Sequence, residues 1–386
     1  MELGYSSQIY LDYNATTPCK ESVVKEMLPY FNKHFGNASS SHHPFGWLAK
    51  DALDESKNMI SKTLGISQKE FIFTSGSTES INSVLKGLYK KNKSTRNHII
   101  TSKAEHKAVL DTAEWLKSNQ SKVTIIPTDS AGVVDLSALE DALDEGTAVV
   151  SAMAANNETG VVTNLQELIE VSQKHEVLFH SDATQVIGRG PFNVEELGLD
   201  LASLSAHKIY GPKGVGALFV RRGTQLEAVT HGGGHERGLR SGTLNVPAIV
   251  GFGAAANLVT SRLKQATDKS LALVNQLVVG LNQQLVDIEI VAESTDRLPN
   301  TVNIRFNGAD SDAVMANAPS IAVSSGSACS ARIPSPSHVL MAMGLSSKEA
   351  SECLRFSVGY PTTSEDIDKT ITAIVYAVER VRELTK

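Results

Sequence analysis

Cysteine is scarce in this sequence, and neither a long apolar run nor an excess of basic charge is present. The 386 residues include three cysteines, Cys19, Cys329 and Cys353. An odd, small number argues against a disulfide framework and is typical of a reducing compartment. No apolar run approaches the roughly 18 residues that span a bilayer, and residues 1–10 lack the basic and apolar regions of a signal peptide. We therefore expect a cytoplasmic protein without a membrane segment.

The formal net charge is −6, from 36 basic and 42 acidic residues. This balance disfavours broad electrostatic binding to nucleic acid or to acidic membranes. A hydrophobic content of 41% and a charged content of 20% fit an ordinary soluble globular enzyme. At about 100–200 residues per domain, the length predicts two or three domains.

Short apolar runs alternate with helical patterns through the first two-thirds of the chain. The strand candidates are residues 71–73, 99–100, 123–126, 149–153, 177–179, 201–204 and 217–220. Between them, Ile81, Val84 and Leu88 keep the spacing of one buried helix face. Such alternation predicts an α/β fold with a largely parallel sheet. In open sheets of this kind, ligands gather at the carboxyl ends of the strands.

The pattern changes near Asn257, where a long helical stretch begins and continues to about Leu285. Strand-like runs at 288–291 and 301–306 follow, and residues 364–384 have the pattern of an amphipathic helix. This part of the chain is typical of a smaller α+β domain. We predict a large domain over residues 15–258 and a small domain formed by residues 1–14 and 259–386.

A lysine and an aspartate each follow a predicted strand. Lys208 closes the segment Ser205-Ala206-His207-Lys208 after the run 201–204, and Asp182 follows the run 177–179. Pyridoxal phosphate (PLP) needs a lysine for its Schiff base and an acid beside its ring nitrogen. Taken singly, the lysine could be a surface residue and the aspartate an ordinary loop or cap residue.

Hydroxyl groups follow another strand candidate in Thr74-Ser75-Gly76-Ser77-Thr78. Hydroxyls and open backbone N–H groups at a helix N-terminus can bind a phosphate. The same residues are also preferred as ordinary helix caps. The segment therefore predicts either a phosphate cup or a plain helix start.

Three further polar residues lie after predicted strands. His106 could stack on a cofactor ring and transfer protons, Asn157 could contact the cofactor, and Gln185 could donate a hydrogen bond to its phenolic oxygen. Each residue also has a structural alternative. His106 could be a packed histidine, Asn157 a turn residue and Gln185 an ordinary polar helix residue. Their convergence with Lys208 and Asp182 at one sheet edge favours the site.

Cys329 lies in Ser324-Ser325-Gly326-Ser327-Ala328-Cys329-Ser330. Small neighbours allow a thiolate to approach a bound substrate, as a nucleophile requires. An incidental loop cysteine is the alternative. Cys19 and Cys353 have no such setting, and we interpret both as bystanders, with Cys353 on a helix face.

These segments together resemble a cysteine desulfurase of the NifS/IscS type, in the class V aminotransferase family of PLP enzymes. The resemblance runs from Tyr10-Leu11-Asp12-Tyr13-Asn14-Ala15-Thr16-Thr17-Pro18 to Leu354-Arg355-Phe356-Ser357-Val358-Gly359. The lysine segment and the cysteine segment are its most specific parts. The form of the cysteine segment resembles the group I branch.

The resemblance implies fold type I, a mostly parallel seven-stranded sheet between helices with a smaller α+β domain, working as a homodimer. The implied cofactor contacts are Ser77, Thr78, His106, Asn157, Asp182, Gln185, Ser205, His207, Lys208 and, from the opposite subunit, Thr243. Among these, Lys208 matches the Schiff-base lysine and His106 the acid/base residue over the ring. No metal site is predicted.

The resemblance also implies a reaction. Arg355, helped by the neighbourhood of Asn157, would hold the carboxylate of L-cysteine, since a guanidinium can grip it with two parallel hydrogen bonds. Lys208 would move the α-proton, and the Cys329 thiolate would attack the substrate sulfur. L-Alanine would leave, with a persulfide on Cys329 for transfer to an acceptor protein.

Alternatives to this function and to its pathway stay open. Another PLP enzyme of the same fold, such as a selenocysteine lyase, and a non-catalytic sulfur-transfer partner are the other interpretations; the second should have lost Lys208 or Cys329. Relatives that serve iron–sulfur scaffolds usually continue past the last helix, whereas this sequence ends at Lys386. This difference argues against docking to the housekeeping iron–sulfur scaffold through such a tail. Iron–sulfur cluster assembly, tRNA thiolation and DNA phosphorothioation stay open as the pathway of the acceptor, and we expect no direct nucleic-acid binding by this chain.

Overall fold

The computed structural model describes residues 8–326 and 336–384. Within these ranges the strands are β1 (Ile9–Tyr10), β2 (Phe71–Thr74), β3 (His98–Ser102), β4 (Lys122–Ile126), β5 (Thr147–Ser151), β6 (Leu178–Asp182), β7 (Leu201–Ser205), β8 (Gly216–Val220), β9 (Ile288–Ile290), β10 (Thr301–Phe306), β11 (Ile321–Ala322) and β12 (Cys353–Ser357). The α-helices are α1 (Glu21–Met27), α2 (Pro29–Asn32), α3 (Pro44–Leu64), α4 (Ser77–Asn92), α5 (Lys107–Ser118), α6 (Leu136–Ala142), α7 (Leu165–Lys174), α8 (Val194–Leu197), α9 (Val246–Gln284), α10 (Ser311–Asn317), α11 (His338–Ala342), α12 (Ser347–Ser351) and α13 (Ser364–Leu384).

A seven-stranded sheet forms the centre of the larger lobe, in the order β2-β8-β7-β6-β5-β3-β4. β8 pairs antiparallel with both of its neighbours, and the other pairings in this sheet are parallel. Strands of parallel sheets are covered on both faces, and β3, β5, β7 and β8 are buried along their whole length. The predicted fold class and all seven strand candidates are confirmed.

Helices cover both faces of this sheet. α4 and α5 pack on one face, where Ile81, Val84 and Leu88 are fully buried, as their spacing predicts. On the other face, α3, α7 and the first half of α9 enclose a larger core that includes Phe71 and Phe179. The sheet is therefore sandwiched between helices, and its strand ends are the natural place for a ligand.

The long helix α9 begins at Val246, well before the predicted start at Asn257. Gly251 and Gly253 weaken the helical signal there, but they allow close packing, because a Cβ at Gly253 would lie 2.8 Å from Cα of Ser56. Among the described residues, α9 is also the one helix with the length and composition to cross a membrane. Half of its most apolar window is buried inside the fold, so here it is a core helix.

A second core lies around β9, β10 and β12, which form a three-stranded antiparallel sheet. α13 and the last part of α9 cover it, and Leu277, Phe306 and Ile374 are fully buried. Along α9, core membership changes between Val259 and Leu273. The division into residues 15–258 and residues 1–14 with 259–386 remains a prediction, which this change supports.

Candidate active site

Five strand ends meet at one edge of the large sheet. β2, β3, β5, β6 and β7 run in one direction, because β2 and β7 both pair antiparallel with β8. The residues that follow or end these strands are Ser77, His106, Asn157, Asp182 and Lys208, respectively. The structure therefore brings the predicted residues to one edge of the sheet.

Lys208 ends a single 3₁₀ turn, Ala206–Lys208, directly after β7. Its Nζ donates hydrogen bonds to the backbone carbonyl oxygens of Asn14 and, at 2.8 Å, of Ala15. Thr17 fixes the same turn, since its hydroxyl donates to the carbonyl oxygen of His207 at 2.8 Å. The N-terminal segment thus holds the lysine amine at the sheet edge.

Asp182 is the last residue of β6 and is buried. Its Oδ1 accepts hydrogen bonds from the backbone N–H of Thr184, at 3.0 Å, and from the Thr184 hydroxyl. Hydrogen bonds to an ionised carboxylate are strong and directional. Thr184 therefore fixes the orientation of the carboxylate that the sequence assigns to the pyridine nitrogen.

His106 caps the N-terminus of α5, where its Nδ1 accepts a hydrogen bond from the Ala108 N–H at 3.0 Å. Because Nδ1 accepts, the neutral ring carries its proton on Nε2. Burial lowers the pKa of His106 below its ordinary value; Asp182 opposes this shift, and Lys208 adds to it. The ring is therefore neutral near pH 7 and can both stack on a cofactor and exchange a proton at Nε2.

Gln185 is held through both atoms of its side-chain amide. Its Nε2 donates to the carbonyl oxygen of Asn14 at 3.1 Å, and its Oε1 accepts from Nη1 of Arg189. Arg189 is buried, which lowers its pKa to about 10, so it stays charged at neutral pH. An amide nitrogen has two N–H groups, and the second of Gln185 has no partner among the described residues, so it can donate to a cofactor oxygen.

The turn that starts α4 is built to receive an anion. Gly76 precedes the helix with φ +152°, and in the described structure no side chain caps this end. A Cβ at Gly216 would lie 2.6 Å from Cα of Gly76, and a Cβ at Gly76 would lie 3.6 Å from Oγ of Ser205. Uncapped N–H groups of a 16-residue helix, beside the hydroxyls of Ser77, Thr78 and Ser205, fit a phosphate group.

Two other predicted phosphate contacts have different settings. His207 lies at the same edge, with Nδ1 3.0 Å from Oγ1 of Thr16, and burial lowers its pKa to about 4. Thr243 is exposed. Its segment is joined to α4 by Arg240, whose Nε donates to Oε1 of Glu79 at 2.9 Å. The reach of Thr243 to an opposite subunit remains a prediction.

Arg355 lies on β12 of the smaller lobe and is 5% exposed. Nη1 donates to the carbonyl oxygen of Asn157 at 2.9 Å, and Nη2 pairs with the carboxylate of Asp12. Nε is buried and has no hydrogen-bond partner within the described part of the chain. Since a buried unpaired donor is costly, a substrate carboxylate at this point would satisfy it.

Sequence reasoning missed the residues that hold the predicted ones in place. The N-terminal segment supplies Asp12 to Arg355 and the Asn14 carbonyl oxygen to both Lys208 and Gln185. Thr184 and Arg189 were not predicted either. A usable signal exists for Thr184, because a residue two places after an aspartate is the usual partner of its side chain in a turn.

Cys329 lies outside the described residues, whose chain stops at Gly326 and resumes at Pro336. The prediction of a helix face for Cys353 is wrong. α12 ends at Ser351, and Cys353 begins β12, where it is completely buried. Burial raises the pKa of Cys353 to about 12 and also raises that of Cys19. Both thiols are therefore poor nucleophiles.

Comparison with known proteins identifies the family. A family model described as aminotransferase class-V matches residues 9–370. The chain is 44% identical over 379 residues to a cysteine desulfurase IscS from Anaeromyxobacter sp. (strain Fw109-5), covering 98% of this chain and 94% of that protein.

Solved structures agree with this assignment. A NifS-like protein superposes with a TM-score of 0.88 at 37% identity, covering 98% of this chain and 99% of the other. A structure of SspA in complex with cysteine superposes with a TM-score of 0.81 at 34% identity, with coverages of 91% and 98%. The chain belongs to the aminotransferase class-V family, in its branch of cysteine desulfurases of the NifS/IscS type, as the sequence predicts, and it is therefore an enzyme.

Proposed function

We propose that this enzyme uses PLP to remove sulfur from L-cysteine, releasing L-alanine and leaving a persulfide on Cys329. The observation that carries the proposal is the convergence of Lys208, Asp182 and His106 at one edge of the sheet, beside the uncapped start of α4. The names of the relatives and the cysteine bound to SspA support the choice of substrate.

The chemistry of this edge fits PLP. The start of α4, with Ser205 and His207, would hold the phosphate, and Thr243 of a second subunit would reach the same phosphate. Asp182 would bind the ring nitrogen, Gln185 would bind the phenolic oxygen, and His106 would lie over the ring. Lys208 would bond to the aldehyde carbon. When bound, PLP supplies an electron sink for the charge that develops at the substrate α-carbon.

The chain itself supplies binding and proton transfer. Arg355 binds the carboxylate of cysteine, and the carbonyl oxygen of Asn157 holds that guanidinium in position. The Lys208 amine takes the proton from the α-carbon. His106, with its proton on Nε2, can donate to or accept from the reacting groups above the ring.

Sulfur transfer requires a thiolate that can reach the substrate. The Cys329 sulfur forms a bond with the substrate sulfur while the substrate carbon–sulfur bond breaks, and the freed carbon takes up a proton. Cysteine and the Cys329 thiol thereby give alanine and the Cys329 persulfide, with no external oxidant or reductant. Buried Cys353 cannot take this role, since its pKa is about 12.

A homodimer is the second part of the proposal. Large apolar side chains of the α1–α3 region are exposed: Leu28, Phe31, Phe35, Phe45, Trp47 and Leu48. Phe35 and Phe45 are in contact, with ring centroids 5.5 Å apart. An exposed apolar patch of this kind is typical of an interface. We expect a second copy of the chain to cover this patch. Light scattering should show a dimer for the wild type and a larger fraction of monomer for Phe31→Asp.

The persulfide sulfur is transferred to an acceptor protein in the cytoplasm. Iron–sulfur cluster assembly, tRNA thiolation and DNA phosphorothioation are the pathways that would consume it. The net charge of −6 gives no support for direct nucleic-acid binding by this chain. Transfer of labelled sulfur from the loaded enzyme to proteins of its own cell would identify the acceptor.

The proposal is tested by comparing two cysteine variants. Cys329→Ser should keep the visible absorption band of the bound cofactor but lose sulfide release from L-cysteine. Cys353→Ser should keep both, because Cys353 is buried and protonated. Full activity of Cys329→Ser would contradict the proposal, and activity with selenocysteine alone would favour a selenocysteine lyase.

A further inference from the structure

Glu158 connects two segments that are distant in sequence. It lies in the turn after β5, directly after Asn157, and is 4% exposed. Its carboxylate accepts a hydrogen bond from the hydroxyl of Ser337. The same carboxylate packs on Gly326, where a Cβ would lie 2.5 Å from Oε2 of Glu158. Any side chain at position 326 would therefore displace it.

Gly326 and Ser337 are two points close to the ends of the segment that contains Cys329. Ser337 is buried and caps α11, where its hydroxyl accepts from the Leu340 N–H at 3.1 Å. Gly326 donates its N–H to the hydroxyl of Ser324 at 3.2 Å. One buried carboxylate thus contacts the chain before and after the cysteine.

The same contacts connect this segment to the substrate side. The backbone of Ser324 exchanges two hydrogen bonds with that of Arg355, at 2.7 and 3.3 Å. The carbonyl oxygen of Glu158 accepts from Asn303 Nδ2, at 3.2 Å, on the neighbouring strand β10. Glu158 therefore contacts both described ends of the cysteine segment and directly follows Asn157, whose carbonyl oxygen accepts from the guanidinium of Arg355.

We propose that Glu158 is a positioning residue for sulfur transfer. It fixes Gly326 and Ser337, the described points on either side of the Cys329 segment, relative to Arg355 and Asn157. The inference rests on the proposed function, because it assumes that Cys329 receives the sulfur. The contact with Ser337 needs only an acceptor oxygen, so the role is one of geometry and not of proton transfer.

Two substitutions separate these roles. Glu158→Ala should slow single-turnover formation of the Cys329 persulfide by about tenfold to a hundredfold, as expected for misplacing a reacting group by about 1 Å. Glu158→Gln should stay within about threefold of the wild type, because its amide oxygen can still accept from Ser337. The dissociation constant for L-alanine should stay within about twofold of the wild-type value in both variants. The absorption of the bound cofactor measures this binding.

A second readout does not depend on the cofactor. In the cofactor-free protein, trypsin should cleave after Arg332 faster in Glu158→Ala than in the wild type or in Glu158→Gln. Should Glu158→Ala fail to fold, Ser337→Ala replaces it, with Ser346→Ala as its matched control. Ser346 also caps a five-residue helix, α12, through its hydroxyl.

Ser337→Ala should slow persulfide formation, whereas Ser346→Ala should not. Wild-type rates in both Glu158→Ala and Ser337→Ala would overturn the inference. A parallel loss of L-alanine binding would also overturn it, because this loss would indicate a merely structural role. Slow persulfide formation in Glu158→Gln would overturn it as well, because this result would indicate proton transfer by the carboxyl group. Failure of the proposed function is distinguishable, since the wild type itself would then form no persulfide on Cys329.

Discussion

The two sides of the candidate site are held together in different ways. At the sheet edge, Asp182 and Lys208 sit at the ends of neighbouring parallel strands and are fixed by contacts within a few residues or by backbone carbonyl oxygens. On the side of the smaller lobe, the side chains of Arg355 and Ser337 bond carboxylates that are distant in sequence, those of Asp12 and Glu158, and Arg355 also bonds the carbonyl oxygen of Asn157. The strand ends of the sheet thus fix the cofactor side, whereas a few side-chain contacts between residues distant in sequence fix the substrate side.

This difference predicts how each side responds to substitution. A change at the cofactor side should alter the cofactor spectrum together with activity. A change at the substrate side should reduce the use of cysteine while the spectrum stays the same. Three predictions test this contrast and one tests the stability of the sheet side, given from the largest effect to the smallest.

Lys208→Ala should abolish activity and the visible absorption band of the lysine-bound cofactor. The Lys208 amine both bonds to the cofactor and transfers the proton, and alanine has no group that can do either. Absorbance and sulfide release measure both effects. Lys213→Ala is the matched control, because Lys213 is exposed in the following turn; an unchanged spectrum in Lys208→Ala would refute the lysine assignment.

Arg355→Lys should lower kcat/KM for L-cysteine by about a hundredfold and leave the cofactor spectrum unchanged. Lysine keeps the charge but cannot form two parallel hydrogen bonds with a carboxylate. Losing such contacts costs about 3 kcal/mol, or two factors of ten in rate. Arg305→Lys on β10 is the control, since Arg305 pairs with Glu352 and not with the site. Equal losses in the two variants would contradict the substrate role.

The sheet side should lose stability in acid through His180. This residue is fully buried on β6, with its ring nitrogens 2.8 Å from the hydroxyls of Ser151 and Ser203, and burial lowers its pKa to about 3. The neutral ring therefore stabilises the fold fully above the unfolded pKa near 6.5, and this contribution falls as the pH drops toward 3. From pH 7 to 5 the free energy of unfolding should fall by about 2 kcal/mol from this residue.

Urea unfolding at the two pH values measures this loss. His180→Gln should remove that part of the pH dependence, whatever its effect on stability at pH 7. The exposed His175 provides the control, because His175→Gln should keep the wild-type dependence. An identical dependence in His180→Gln and the wild type would show that His180 is not the group that titrates.

Thr184→Val should weaken cofactor binding by about tenfold. The substitution removes the hydroxyl that donates to Asp182, and a hydrogen bond to a charged group contributes about 1.5 kcal/mol or more. Titration of the cofactor-free enzyme with PLP measures the change. Thr370→Val is the control, because it removes a buried hydroxyl of the smaller lobe that bonds the Asp366 carbonyl oxygen at 2.7 Å. This variant should keep the wild-type affinity for PLP. A similar loss of affinity in Thr370→Val would indicate a general packing effect.

Prediction from sequence succeeded where a local pattern determines position. Apolar runs located the strands, and the residues that follow them, such as His106 and Asp182, were then placed correctly because parallel strands share one edge. Prediction failed where position depends on contacts distant in sequence. Nothing local to Asp12 or Glu158 indicates a partner at Arg355 or Ser337, and the helical pattern near Cys353 hid a buried strand. The start of α9 was missed because its glycines serve packing against α3.

The central claim is that Cys329 receives the sulfur of L-cysteine at a site built around Lys208. A single turnover with labelled L-cysteine, followed by mass spectrometry of the digested protein, tests it most directly. The account predicts one labelled sulfur per site on the peptide that contains Cys329, with an equal amount of L-alanine released. Label on Cys19 or Cys353, or L-alanine released with no label on Cys329, would contradict it.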